Sequence, residues 1–190
     1  VNWATAGRRE AFDEMVRQFG GSVAMIDCTF QPGHDALRLG LERIRAEAED
    51  AVRSGAGHVV LTDQHQGPDR IAMPMILATS AVHSWLTRKG LRTFTSLNVR
   101  SAECIDPHYF AVLIGSGATT VNAYLAQDSI ADRVNRGLIE GSLIDAMAAI
   151  YGAEIAAAGI EIDASAAIEG DTSVRGVAVE PRMHRASRNY

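Results

Sequence analysis

Four apolar, β-branched runs in this chain each end on a carboxylate or a carboxamide: Ser22 to Asp27, His58 to Asp63, Thr93 to Asn98 and Thr119 to Asn122. A helical pattern follows each run. Strands as apolar as His58 to Thr62 belong in the interior of a sheet rather than at a wet edge, and strands joined through helices pair in parallel. The rhythm predicts an α/β fold of repeated βα units forming a parallel sheet, half-barrel-like or a small open doubly wound sheet. Right-handed crossovers bring all four polar strand ends, Asp27, Asp63, Asn98 and Asn122, to one face, where α/β folds gather ligand-facing groups.

The connecting segments carry their own start and stop signals. Phe12, Met15, Val16 and Phe19 share one face of a helix over Arg8 to Phe19, closed by Gly20-Gly21. Asp35 is placed to cap a long helix whose apolar stripe runs through Leu37, Leu41, Ile44, Ala48 and Val52. Pro74 falls in the first turn of the next helix, which runs through Ile76, Leu77, Ala81 and Leu86 to Gly90. Asp106-Pro107 sets a capping carboxylate before a proline at the first helical position, so His108 to Ile114 reads as helix despite its β-prone composition. Gly115 and Gly117 stop it, and an Ala-rich helical pattern beyond Leu125 reaches Ile155. Residues 1–162 are thus expected to form a single α/β domain and 163–190 an irregular tail, with Val174 to Glu180 as a short strand.

With 190 residues and 47% hydrophobic content the chain can bury a core. Its formal charge of −5 denies it the broad basic surface that nucleic acid or an anionic membrane selects. No run approaches the roughly 18 to 20 apolar residues that span a bilayer. Cys28 and Cys104 stand far apart, with no thiol or histidine at a metal-ligand spacing, which fits a reduced, cytoplasmic setting. A chain beginning on Val1 fits a processed protein or a piece of a longer one.

Asp63, His65 and Asp69 share a strand-end loop, and a carboxylate near an imidazole can share a proton or hold a cation. The competing reading is a solvated loop in which Asp63 accepts backbone amides. His83, among Ala81, Val82, Trp85 and Leu86, reads as a packed, hydrogen-bonded side chain rather than a ligand. Gly115-Ser116-Gly117 offers two of the three glycines of a dinucleotide loop, but Thr120 stands at the third position and a helix precedes it. Cys28 reads as a small buried thiol with no base to activate it. If the chain acts as an enzyme, Asp63, His65, Asn98 and Asn122 are its candidate catalytic residues; no cofactor-binding or metal-ligating residue is identified.

From Gly40 to Ala126 the sequence resembles the central domain of glutamate synthase. The likeness rests on Leu41-Glu42-Arg43-Ile44-Arg45-Ala46-Glu47-Ala48-Glu49, Val60-Leu61-Thr62-Asp63, Met73-Pro74-Met75-Ile76-Leu77-Ala78 and Ala81-Val82-His83-Ser84-Trp85-Leu86. It continues through Gly90-Leu91-Arg92-Thr93 and the stretch from His108 to Ala118, and closes on Val121-Asn122-Ala123-Tyr124-Leu125-Ala126. Gln64 stands where the family has arginine, and Ser84-Trp85 where it has two histidines. The resemblance implies an enzyme that makes glutamate from glutamine and 2-oxoglutarate. An amidotransferase domain would release ammonia, and a barrel carrying FMN and an iron–sulfur cluster would use it. The central domain would be a catalytically inactive scaffold and ammonia-channel wall, with those two domains as partners and both cofactors outside this chain. Two other readings stand beside it: an independent small-molecule or flavin-phosphate enzyme, and a homodimerising interaction module that completes a barrel from two halves.

Overall fold

The computed structural model describes Arg17 and residues 22–140. Within it β1 (Val23–Asp27), β3 (His58–Thr62), β5 (Ser96–Arg100) and β6 (Thr120–Asn122) pair in parallel, side by side in chain order. Helices α1 (Ala36–Arg53), α2 (Met75–Arg88) and α3 (Pro107–Gly115) form the crossovers, and α4 (Tyr124–Asn135) follows β6. Sequential strand order with right-handed crossovers places those helices along one face. The expected α/β parallel sheet is what forms. The helix over Arg8 to Phe19, the stretch towards Ile155, the strand at Val174 to Glu180 and the tail lie outside the described residues.

Side chains alternate across the sheet, so each strand has a helix-facing set. Ile26, Val59, Leu61, Leu97, Val99 and Val121 form that set and join one core with Ile44 and Ala48 of α1, Val82 and Leu86 of α2, Leu113 of α3 and Ile130 of α4. The opposite set lines up in register as Met25, Val60, Asn98 and Thr120, then Asp27, Thr62, Arg100 and Asn122. Two residues of that second row are charged and one is an amide, a pattern no ordinary hydrophobic layer shows.

Several boundaries depart from the sequence reading. Leu91 to Phe94 folds into a 3-10 turn, so β5 begins at Ser96, whose amide donates to the Gly57 carbonyl at 2.9 Å, and runs on to Arg100. Asp35 occupies the cap position of α1 but lies in the left-handed region at φ 58° and makes no capping bond. Its carboxylate pairs with Arg38 at 3.4 Å instead. Pro74 precedes α2 rather than entering it, and the first helical amide, Met75 N, donates to Glu103 Oε2 at 2.9 Å. Helix α4 stops at Asn135, before Gly137 at φ 68°. A two-stranded antiparallel ribbon, β2 (Thr29–Phe30) with β4 (Ile71–Ala72), was not expected at all.

The Asp106 cap did form: its Oδ1 accepts the Tyr109 amide at 2.9 Å, with Pro107 beginning the helix. Asp106→Ala is expected to lower unfolding free energy by about 1 kcal/mol, as caps of this type do, read by urea titration. No loss would show that the neighbouring packing of Phe110 and Leu113 holds α3 without it.

Candidate functional site

The four strands end together, and the groups gathered there are Asp27, Asp63, Arg100, Ser101 and Asn122. Asp63 follows the last residue of β3 and has no exposed surface. Its carboxylate takes the Ala102 amide on both oxygens, at 3.1 and 2.9 Å, the Ser101 hydroxyl at 3.2 Å and the Tyr124 hydroxyl at 3.0 Å. The expected acceptor of backbone amides is therefore present, but in the interior rather than in a solvated loop. Burial pushes the Asp63 carboxyl above its ordinary range; the donors from Ala102, Tyr124 and Ser101 oppose this without overcoming it. Tyr124 is pushed up to about 12 by burial and by the Asp63 charge, and its ring lies 5.6 Å from the Arg100 guanidinium carbon.

His65 is turned elsewhere. Its Nδ1 lies 3.7 Å from Asp27 Oδ1, and 62% of its side chain is exposed. Asp27 Oδ2 pairs with Arg70 at 2.6 Å, while Oδ1 accepts the Thr29 amide at 2.9 Å and the Thr29 hydroxyl at 2.8 Å. Burial would raise the Asp27 carboxyl, but the Thr29 hydrogen bonds and the Arg70 charge prevail and hold it below its ordinary value. Arg43 reaches from α1 to the Asp27 and Thr29 carbonyls at 2.7 and 3.0 Å, covering the end of the edge strand. Asp69 is exposed in the same loop.

Asn98 is not a strand end. The later start of β5 places it mid-strand, where its Nδ2 donates to the Val59 and Ser96 carbonyls at 3.3 Å and its Oδ1 accepts the Thr120 hydroxyl at 2.6 Å. Asn122 does end its strand. It is 3% exposed and donates to Gln127 Oε1 at 3.4 Å, which leaves Asn122 Oδ1 and Gln127 Nε2 as buried polar atoms without a hydrogen bond.

Of the four candidate catalytic residues, the structure joins none to another by a hydrogen bond or ion pair among the described contacts. The partners that sequence reasoning missed are Ser101, Ala102 and Tyr124 for Asp63, and Arg70 for Asp27. Tyr124 carried a faint signal, since it follows a strand end by two residues; a backbone amide such as Ala102 N carries none.

Cys28 is fully buried, and that burial pushes its thiol up to about 12, the inert thiol expected. Cys104 is buried and raised likewise. The described residues contain no group of three or more His, Cys, Asp or Glu placed to hold a metal ion, and no helix among them is long and apolar enough to cross a membrane.

Residues 5–161 match the glutamate synthase central domain family. The chain is 63% identical over 129 residues to the large chain of the NADPH glutamate synthase of Azospirillum brasilense, covering 67% of this chain and 8% of that protein. To the corresponding Bacillus subtilis large chain it is 34% identical over 143 residues, 75% of this chain and 9% of that one. To the chloroplastic ferredoxin-dependent glutamate synthase of spinach it is 43% identical over 95 residues, 49% and 6% respectively. The chain thus spans less than a tenth of the length of each of these relatives.

Proposed function

The chain belongs to the glutamate synthase central domain family, and from that premise we propose that it works as the structural domain linking the amidotransferase and FMN-barrel parts of a glutamate synthase, without chemistry of its own. The observation that supports this is where the strand-end polar groups are directed. Asp63 is wholly buried and spends its carboxylate on Ala102, Ser101 and Tyr124, and Asp27 is tied to Thr29 and Arg70. An acid or base that touches substrate needs a face open to it, and these side chains instead fix the loops that leave the strand ends. Loops held on a rigid sheet are well suited to meet neighbouring domains.

The cofactors of the family do not fit the described residues. An iron–sulfur cluster takes thiolates from several cysteines, whereas Cys28 and Cys104 are separately buried and held protonated. A flavin phosphate seeks free backbone amides in a glycine-rich turn. In the turn at Gly115 to Gly117 the amides of Ser116 and Gly117 already donate to carbonyls of α3, and His83 crowds Gly117. FMN and the cluster belong, on this reading, to the parts of the enzyme that flank this domain.

Thermal unfolding of the chain with FMN, glutamine, 2-oxoglutarate or glutamate, at two protein concentrations, tests the proposal. No ligand is expected to shift Tm, whereas separately produced amidotransferase and FMN-barrel domains are expected to raise it by mass action on the folded form. A ligand-dependent rise, or turnover of glutamine by the chain alone, would establish an independent enzyme. A Tm that climbs with concentration in the absence of ligand would instead identify a homodimer.

A further inference from the structure

At the end of the sheet opposite the polar rim, one guanidinium holds three segments together. Arg92, in the 3-10 turn between α2 and β5, donates through Nε to His83 Nδ1 at 3.1 Å and through Nη1 to the Thr95 carbonyl at 2.7 Å. Its Nη2 donates to the Gly117 carbonyl at 2.8 Å and to Thr119 Oγ1 at 3.2 Å. Thr119 Oγ1 also accepts the amide of Leu97 at 3.1 Å, so the contact passes directly into β5.

Arginine only donates, so a bond from Arg92 requires a lone pair on His83 Nδ1 and places the imidazole proton on Nε2. The ring lies close against Gly117, where a Cβ would fall 2.2 Å from Nδ1. The groups around it on each neighbouring element are few. The turn before β6 offers Gly117 and Thr119, which do not titrate; Arg92 is the charge that acts on the ring. Across the seam with α1, Glu49 is engaged by Arg53, Trp85 and Lys89, and Arg88 on α2 donates to the Ser84 carbonyl.

We propose that His83 and Arg92 form an acid-released latch that ties α2 to the turns entering β5 and β6. Protonating Nδ1 removes the acceptor and sets a second cation against Arg92, so the guanidinium must leave the ring or the ring must leave Gly117. Burial, reinforced by Arg92, holds the His83 pKa below 6.5. In the unfolded chain the imidazole returns to about 6.5 and there binds the proton more readily than in the fold. The latch is therefore fully present above about pH 6.5 and is lost as pH falls through the folded value.

Thermal unfolding of the complete 190-residue chain and of His83→Gln between about pH 7.5 and 5.0 reads this directly. Glutamine keeps an acceptor for Arg92 but does not titrate. Wild type is expected to lose several degrees more than the variant on acidification, while parallel profiles would overturn the latch. The wild-type imidazole nitrogen spectrum decides the question even where the variant does not fold. The expected result is an Nε2-protonated tautomer that titrates below 6.5; an Nδ1-protonated ring, or a midpoint at or above 6.5, would overturn the proposal.

Discussion

Asp63→Ala is expected to destabilise the folded chain by about 3 kcal/mol or more, the range seen when a buried acceptor of several hydrogen bonds is removed. The side chain has no exposed surface, and its loss strands the Ala102 amide, the Ser101 hydroxyl and the Tyr124 hydroxyl together. Asp63→Asn should cost less than half as much. The amide oxygen can keep the Ala102 bond and the hydroxyl beside it, while the hydroxyl at the other position, Ser101 or Tyr124, can rotate to accept from the new NH2 group. Urea unfolding of both variants at pH 7 measures the difference. The pH dependence supplies a second reading with a definite sign. Because the folded carboxyl is raised above its unfolded value, this group favours folding below that unfolded value, and the advantage is lost as pH rises through the folded one. Asp63→Asn should therefore flatten the stability curve over that acidic window. Equal losses in the alanine and asparagine variants would mean that shape, not hydrogen bonding, fixes this corner.

The same residue shows what could be read from sequence and what could not. An apolar run ending in a carboxylate located Asp63 at a strand end, because alternation and β-branching leave a periodic trace over five or six residues. Its partners lie 38 to 61 positions away in sequence, as single contacts from loops and a helix start. Isolated contacts of that kind have no period to detect. Asn98 was misplaced for a local reason: Thr93 and Phe94 read as the start of the strand, yet they lie in a 3-10 turn that Arg92 ties to His83, Thr95 and Gly117. Proline could not satisfy the start of α2, and Glu103, reaching across from the loop after β5, does so instead, while also accepting a hydrogen bond from the Tyr109 hydroxyl. His65 went to Asp27 rather than Asp63 although only Gln64 separates it from the latter. Proximity in sequence says little about direction once a chain turns at Gln64.

The two ends of the sheet therefore divide the work. At the polar rim, Asp63 and Asp27 anchor the loops that leave the strands, and on the proposed reading those loops meet the flanking domains. At the other end, Arg92 binds the turns that enter them. A linking domain has to transmit position rather than bind substrate, and rigid loops at both ends serve that requirement.

Gly117→Ala is expected to be as damaging as Asp63→Ala, for a steric rather than a polar reason. The backbone there sits at φ +109°, a conformation that costs an L-residue about 1 to 2 kcal/mol by itself. The added methyl would also lie 2.2 Å from His83 Nδ1, 2.3 Å from Cγ and 2.8 Å from Cβ. The last two atoms are close to the α2 backbone and cannot swing aside, so the helix or the turn has to move, which raises the total to about 3 kcal/mol or more. Gly90→Ala separates the two contributions: φ is +69° there and no atom lies within 4 Å of the new Cβ, so strain alone remains, about 1 kcal/mol. Introducing Gly117→Ala into a His83→Ala background removes the two ring contacts, at 2.2 and 2.3 Å, but keeps the strain and the 2.8 Å approach to the residue 83 Cβ, so its cost should fall only part of the way towards that of Gly90→Ala. A cycle measured by urea unfolding gives the coupling directly. If Gly117→Ala cost the same with and without the imidazole, the ring would not be seated against the turn, and the latch built on that contact would fall with it.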